Sequence, residues 1–277
     1  MPRPSPITPV QVQDLIALYQ AGTSRNQLAI MFNASRPFVT DCLQRHAVRV
    51  RGIKEACPGF PLKHNAFAFP ETDAEAAYWI GFLMADGCVS QNSGRGPYHV
   101  IIVLSVVDIE HIRSFQKFVG STHAIQIVPP KRNRLVNSGE CSRLDLVSQQ
   151  MADDLIRHGV TPKKTHTAKV SEALAFNRDF WRGVIDGDGN IRIDSSKIGY
   201  KPKPIIQLTG SLSLTTQFAA MAARTSGATA HPCKSRGSYN ISISCSRAIA
   251  LIYHLYSDCS VALPRKLAKA REILANT

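Results

Sequence analysis

Two stretches of this chain repeat one another. Tyr78-Trp79-Ile80-Gly81-Phe82-Leu83-Met84-Ala85-Asp86-Gly87 and Phe180-Trp181-Arg182-Gly183-Val184-Ile185-Asp186-Gly187-Asp188-Gly189 align with aromatic, Trp, Gly, Asp and Gly in register, at an offset of 102 (188 − 86). Pro162-Lys163-Lys164 and Pro264-Arg265-Lys266 keep the same offset (266 − 164). Two separate motifs sharing one period mark the chain from about residue 70 onward as a tandem duplication.

Each copy carries the same coarse order of elements. Copy one reads as a helix at 73–86, strands at 87–92 and 98–107, a helix at 108–119, strands at 122–128 and 142–148, and a helix at 149–158. Copy two repeats it with a helix at 177–188, strands at 189–194 and 204–209, a helix at 211–225, strands at 228–234 and 238–245, and a helix at 246–257. The strands alternate: Ile241, Ile243 and Cys245 share one face, Asn240, Ser242 and Ser244 the other. The expected fold is α+β, a tandem pseudo-twofold pair of αββαββα repeats with apolar sheet faces packed on helices and polar, basic faces left open.

The repeated helix carries the chemistry. Thr72 with Glu75 reads as a capping box at the start of the first, and Asn177 as N-cap of the second. Gly81 and Ala85, like Gly183 and Gly187, stand four apart and line one stripe of each helix. Small stripes let two helices approach backbone to backbone, so the two copies are expected to pack here on a pseudo-twofold axis. Asp86 and Asp188 then lie side by side at the helix C-termini, where Gly87 and Gly189 end the helices. Negative charge is unfavourable at that end of a helix dipole, which points to a bound cation. Two carboxylates suit Mg²⁺, or another divalent ion such as Mn²⁺, which takes one or two carboxylates and completes its shell with water and phosphate oxygens. Asp186, two residues before Asp188, points elsewhere on the helix and has Met84 at its counterpart, so it is left out of the metal set.

Ahead of the duplication, residues 8–46 read as three short helices. Thr8 caps the first with Pro9 at its opening position, and Val12, Leu15, Ile16 and Tyr19 form its apolar stripe. Thr23 or Ser24 caps the second, which carries Leu28, Ala29 and Phe32. Asn33 turns the chain, and Ser35 caps the third, with Val39, Cys42 and Leu43 inward. Residues 1–50 therefore form one small all-α domain, 51–70 a basic Pro- and Gly-containing linker, 71–165 the first repeat and 166–277 the second. The helical segment resembles helix-turn-helix domains of repressors and recombinases, which implies that Ser35, Arg36, Thr40 and Gln44 contact bases in a major groove. Arg49 and Arg51 follow as backbone contacts.

Charge agrees. Lys and Arg number 33 against 20 acidic residues, a net charge of +13, with a pI near 9.7; a polyanion is the expected partner. The seven cysteines are scattered without C-x-x-C spacing, which argues against a disulfide framework or a zinc site. The N-terminus lacks a signal-peptide pattern, and the longest apolar run, near Val100–Val107, is too short to span a membrane. A soluble intracellular protein with no membrane partner is expected. P-loop, G-x-S-x-G and dinucleotide-binding fingerprints are absent from the sequence.

WIGFLMADG (79–87), WRGVIDGDG (181–189) and the longer AEAAYWIGFLMADGCVS resemble the paired signature motifs of LAGLIDADG homing endonucleases. HGVTPKKT (158–165) and VALPRKLAK (261–269) are similar to the basic segments that close each repeat in that family. The resemblance covers about residues 70–277. It implies a saddle-shaped basic sheet surface on double-stranded DNA, hydrolysis of both strands at a long asymmetric site, metal bound at Asp86 and Asp188, and catalytic support from Lys164 and Lys266. It also implies DNA contacts from the open sheet faces and their loops, for which Arg95, Arg132, Arg134 and Arg143 stand in copy one. In copy two the corresponding set is Arg192, Lys197, Lys201, Lys203, Gln207, Lys234 and Arg236. A monomer with internal pseudo-symmetry follows. Relatives place a polar water-positioning residue near the end of each second strand; here that region offers Val106 and Gly210, with Gln207 nearby. A catalytically silent DNA-binding regulator and an RNA-binding intron maturase would share the fold; the first would be expected to lack the acids.

Overall fold

The computed structural model describes residues 7–50, 69, 73–91, 97–130, 139–162, 164, 168–194 and 202–276. The chain divides into two compact units, Met1–Leu62 and Lys63–Thr277.

In the first unit α1 (Pro9–Gln20), α2 (Arg25–Met31) and α3 (Arg36–Arg45) form a small bundle. Local chemistry sets the boundaries. The Thr8 hydroxyl accepts from the Gln11 N–H while Gln11 answers the Thr8 N–H, and Ser24 and Gln27 repeat the arrangement, so orphan donors are satisfied at both helix starts. Ser35 caps α3, and Asn33 takes the left-handed conformation (φ 46°) between α2 and α3. Leu15, Tyr19, Leu28, Val39 and Leu43 make the core.

The second unit contains the duplication. Copy one runs α4 (Ala74–Ala85), β1 (Gly87–Gln91), β2 (Tyr98–Ser105), a 3-10 turn (Val106–Asp108), α5 (Ile109–Phe118), β3 (Gln126–Val128), β4 (Cys141–Val147) and α6 (Gln149–Arg157). Copy two runs α7 (Arg178–Asp188), β5 (Gly189–Asp194), β6 (Lys203–Gly210), α8 (Leu212–Ser226), β7 (Cys233–Ser235), β8 (Ser238–Ser244) and α9 (Cys245–Tyr256), then α10 (Pro264–Ala275). Each copy forms an antiparallel four-stranded sheet, ordered β1-β2-β4-β3 and β5-β6-β8-β7. The α+β tandem repeat is thus present.

α4 is buried over Ala76–Met84, as befits a helix apolar on all sides. Its partner is α7, and the contact is as close as the small residues require. A Cβ on Gly81 would stand 2.0 Å from the Phe180 carbonyl oxygen, and one on Gly183 would stand 2.1 Å from that of Tyr78. Only glycine permits this approach at either position. One continuous core surrounds the pair, with Trp79 and Trp181 fully buried.

The third strand of each sheet is shorter than expected, Gln126–Val128 and Cys233–Ser235, and Val106 and Val107 belong to a 3-10 turn. Four further details differ from the sequence reading. Asp73, not Thr72, caps α4, its carboxylate accepting the Ala76 N–H at 2.7 Å; Thr72 lies outside the described residues. Gly87 and Gly189 do end the helices, but neither is left-handed: the strand begins at once, and Gly189 is extended (φ −89°, ψ 173°). Glycine is needed because a Cβ would meet Leu83 or Ile185 within 2.6 Å. Cys245 is exposed with φ 61° and opens α9 instead of ending β8. The segment read only as a basic closing stretch at 261–269 opens a full helix, Pro264–Ala275.

Candidate active site

Asp86 is the C-cap of α4 and Asp188 the last residue of α7, so the crossing of the two helices brings both acids to one place. A Cβ on Gly187 would stand 3.4 Å from an Asp86 carboxylate oxygen. Burial, and then the charge of Asp86, push the Asp188 carboxyl up to about 6. Burial also raises Asp86, against the opposing charges of Lys266, Lys164 and Arg265.

The lysines at the shared offset sit on the helix ends. Lys164 Nζ donates to the carbonyl oxygens of Ala85 (3.1 Å) and Gly87 (2.6 Å). Lys266 Nζ donates to Ile185 (2.6 Å), Gly189 (2.6 Å) and, more weakly, Gly187 (3.4 Å). Each ammonium therefore meets the orphan carbonyls and the negative pole of the helix in its own repeat. The cation that these helix ends call for is supplied in part by the chain itself. Burial draws both ammonium groups down, Lys266 to about 8.

Of the two lysines, each acid is influenced most by the one in the other repeat. A cleft of about 270 Å³ is lined by Lys164 of the first repeat and Asp188 of the second, together with Ala85, Thr209, Gly210 and Ser211. Asp86 in turn feels Lys266 more strongly than Lys164. A cation at the acids would have two carboxylates from protein; no group of three or more His, Cys, Asp or Glu gathers among the described residues. That donor set fits an ion that completes its shell with water and phosphate oxygens.

Asp186 lies outside the cleft, fully buried, and accepts hydrogen bonds from Tyr78, Tyr256 and the Leu263 N–H. Its exclusion from the metal set agrees with this position. Gln207 is held within β6, accepting from Arg192 (2.7 Å) and donating to Asn240 (2.8 Å), whose amide donates to Thr209. Val106 lies in the 3-10 turn after β2, whereas Gly210 and Thr209 border the cleft. Thr209 was missed by the sequence reading, although its place beside the named Gly210 was the available signal.

Of the expected sheet contacts, Arg143, Arg192, Lys203 and Gln207 stand on the open faces. Arg143 donates to Asp145 (2.6 Å), which also pairs with His99 (2.8 Å). Partial burial works against it, but these two partners hold the Asp145 carboxyl below its ordinary range. Arg192 and Gln207 share the open face of the second sheet, and Lys203 is exposed opposite Asp194. Arg236 is exposed in the turn between β7 and β8. Lys234 pairs with Tyr239, so alternation puts it on the face away from Asn240 and Gln207. In the first unit Arg36, Gln44 and Arg49 are exposed. Ser35 is used as a cap, and the Thr40 hydroxyl bonds to the Arg36 carbonyl while accepting from Arg25 (3.2 Å). Arg51, Arg95, Arg132, Arg134, Lys197 and Lys201 lie outside the described residues.

No family model and no curated protein matches the sequence. Solved structures do. The homing endonuclease I-WcaI, bound to its DNA recognition sequence, matches at 14% identity over 70% of this chain and 85% of its own, with a TM-score of 0.53. The meganuclease I-SmaMI bound to uncleavable DNA (12% identity, 74% and 91% covered, TM-score 0.47) and the LAGLIDADG homing endonuclease I-LtrWI bound to target DNA (11%, 73% and 91%, 0.47) are also similar. The likeness to I-WcaI identifies the fold as that of the LAGLIDADG homing endonucleases.

Proposed function

We propose that this protein is a metal-dependent, site-specific DNA endonuclease that hydrolyses both strands of a long, asymmetric duplex target. The observation that carries the reading is the meeting of Asp86 and Asp188 at the paired ends of α4 and α7, each beside a lysine that neutralises the helix end.

Asp86 and Asp188 would hold a divalent cation, which when bound lowers the pKa of water and offsets charge on the scissile phosphate. The chain's own side chains do the rest. Lys164 and Lys266 fix the helix ends so that the carboxylates keep one separation, and they add positive charge beside the phosphates. The site is composite: Asp188 works with Lys164 across the cleft they line, and Asp86 with Lys266. Polar side chains on the open sheet faces, Arg143, Arg192 and Gln207 among them, reach into a major groove. Different residues on the two sheets imply a target without perfect palindromy. The Met1–Leu62 unit adds a second DNA contact through α3.

The test is cleavage of a randomised duplex library with Mg²⁺, followed by sequencing of the ends, for wild type and for Asp86→Asn and Asp188→Asn. Breaks at one long motif, reduced to nicks or lost in the variants, support the endonuclease. Retention of one motif without breaks replaces it with a DNA-binding regulator, and preference for folded intron RNA over duplex replaces it with a maturase.

A further inference from the structure

Two side chains on one face of α7, Arg182 and Asp186, hold the stretch of chain that leads into α10. Arg182 is fully buried; its Nε donates to the Val261 carbonyl (2.8 Å) and Nη1 to that of Leu255 (3.1 Å). Asp186, also fully buried, accepts from the Tyr256 hydroxyl (2.6 Å) and the Leu263 N–H (2.6 Å). Leu263 is the N-cap of α10, and its own side chain makes no capping bond. Asp186 therefore supplies an acceptor to the start of the helix that carries Lys266 three residues later. The same carboxylate accepts from Tyr78 (2.8 Å), on α4 of the other repeat. That hydroxyl also bonds to His111 Nε2 (2.8 Å); since its one proton goes to Asp186, His111 must donate, which fixes its Nε2–H tautomer.

At the same offset the first repeat has Ile80 and Met84, both buried and apolar. Among the described residues the latch therefore exists in the second repeat only. A buried carboxylate is costly unless its oxygens are bonded. Here three donors from three elements meet it, one of them a backbone N–H whose position depends on how α10 enters the fold.

We infer that Asp186 is a positioning residue for the proposed cleavage: it fixes the 255–263 segment and the start of α10 to α7, and so sets where Lys266 stands against the carbonyls beside Asp188. It touches neither DNA nor metal and acts through Lys266. The inference rests on the endonuclease reading, but its structural half can be tested without activity.

The experiment uses the full chain and Asp186→Asn, which keeps the volume and one acceptor, with Tyr256→Phe as a milder variant that removes one donor. Hydrogen exchange in the metal-free protein is read first. Asp186→Asn is expected to speed exchange across 255–266 while α4 amides stay protected. Single-turnover cleavage at saturating DNA is then followed strand by strand. The expected result is a loss of roughly tenfold or more that copies the strand pattern of Lys266→Met and not that of Lys164→Met. DNA affinity measured with Ca²⁺ should stay within about twofold, because the open sheet faces are untouched, and Tyr256→Phe should lie between wild type and Asp186→Asn. Unchanged exchange at 255–266, or a cleavage defect matching Lys164→Met, overturns the inference. Faster exchange in a protein that cuts no DNA would uphold the latch and overturn the endonuclease reading instead.

Discussion

The two repeats agree along the helix pair and at its acid-bearing ends and differ where the chain closes on itself. Gly81 and Gly183 meet the opposing backbone at nearly the same distance, Asp86 and Asp188 end their helices, and Lys164 and Lys266 cap them. Yet the α7 face that turns toward the closing segment is charged, whereas its α4 counterpart is apolar. Duplication thus preserved the constraints shared across the twofold axis and left each repeat to solve the docking of its own closing segment. The second repeat solved it at a cost: Arg182 is wholly buried, and its Nη2 has no partner among the described residues. Buried ionic groups of this kind favour one geometry more than they favour stability.

The largest effect should come from the shared part. Asp86→Asn and Asp188→Asn are each expected to lower double-strand cleavage by about 10³-fold, with nicked intermediates separated on denaturing gels. If the composite arrangement holds, the strand spared by Asp86→Asn is also the one spared by Lys266→Met. Sparing of opposite strands would replace it with one aspartate and its own repeat's lysine per site. Next come the glycines. Gly81→Ala and Gly183→Ala should each destabilise by about 3 kcal/mol, because the added methyl group meets backbone that cannot swing aside. Denaturant unfolding read by tryptophan fluorescence suits this, since Trp79 and Trp181 are the two tryptophans of the chain and both lie in the Lys63–Thr277 unit. A large effect at one glycine and none at the other would break the equivalence of the two helices.

Why the shared part was legible and the rest was not follows from the range of the interactions. The acids, the glycine stripe and the order of the elements repeat in sequence, and Ser24, Ser35 and Asn177 cap by contacts within three residues, so local rules reach them. The capping of helix ends by Lys164 and Lys266 spans 77 to 81 residues; their shared offset marked them without saying what they touch. Asp186 could be set aside as a metal ligand by helix geometry alone, but its partners at Tyr78, Tyr256 and Leu263 lie 70 to 108 residues away. Arg182, a charge where the first repeat has Ile80, was the visible sign that something polar had to meet it.

The charged face of α7 can be made to resemble its counterpart. Asp179→Ala, which installs the residue found at Ala77, removes the carboxylate 2.6 Å from the buried Arg182. It should destabilise by about 3 kcal/mol, because an uncompensated buried charge remains. Adding Arg182→Ile, the residue at Ile80, should recover about 2 kcal/mol of that loss. If the double variant is instead less stable than Asp179→Ala alone, the bonds from Arg182 to Leu255 and Val261 outweigh the desolvation of its charge.

The smallest effect separates the two acids. Asp188 is held near 6 in the folded protein, above its ordinary 3.8, so between those values the native state keeps a proton that the unfolded chain has released. The contribution of Asp188 to stability must then fall as pH rises from 4 toward 6, and its full cost persists above 6. In EDTA, Asp188→Asn should therefore match wild type near pH 4. By pH 7 it should exceed wild type by on the order of 1 kcal/mol, the residual exposure of the carboxyl having trimmed the effect. Asp86→Asn should gain less, because Lys266, Lys164 and Arg265 all oppose the burial of that carboxylate. A divalent ion held between the acids should raise the wild-type melting temperature at pH 7.5, do nothing at pH 4.5, and lose most of its effect in either variant. An Asp188→Asn protein that melts below wild type at pH 7 would mean that the acid is a structural partner, and would remove the electrostatic argument for a cation at this site.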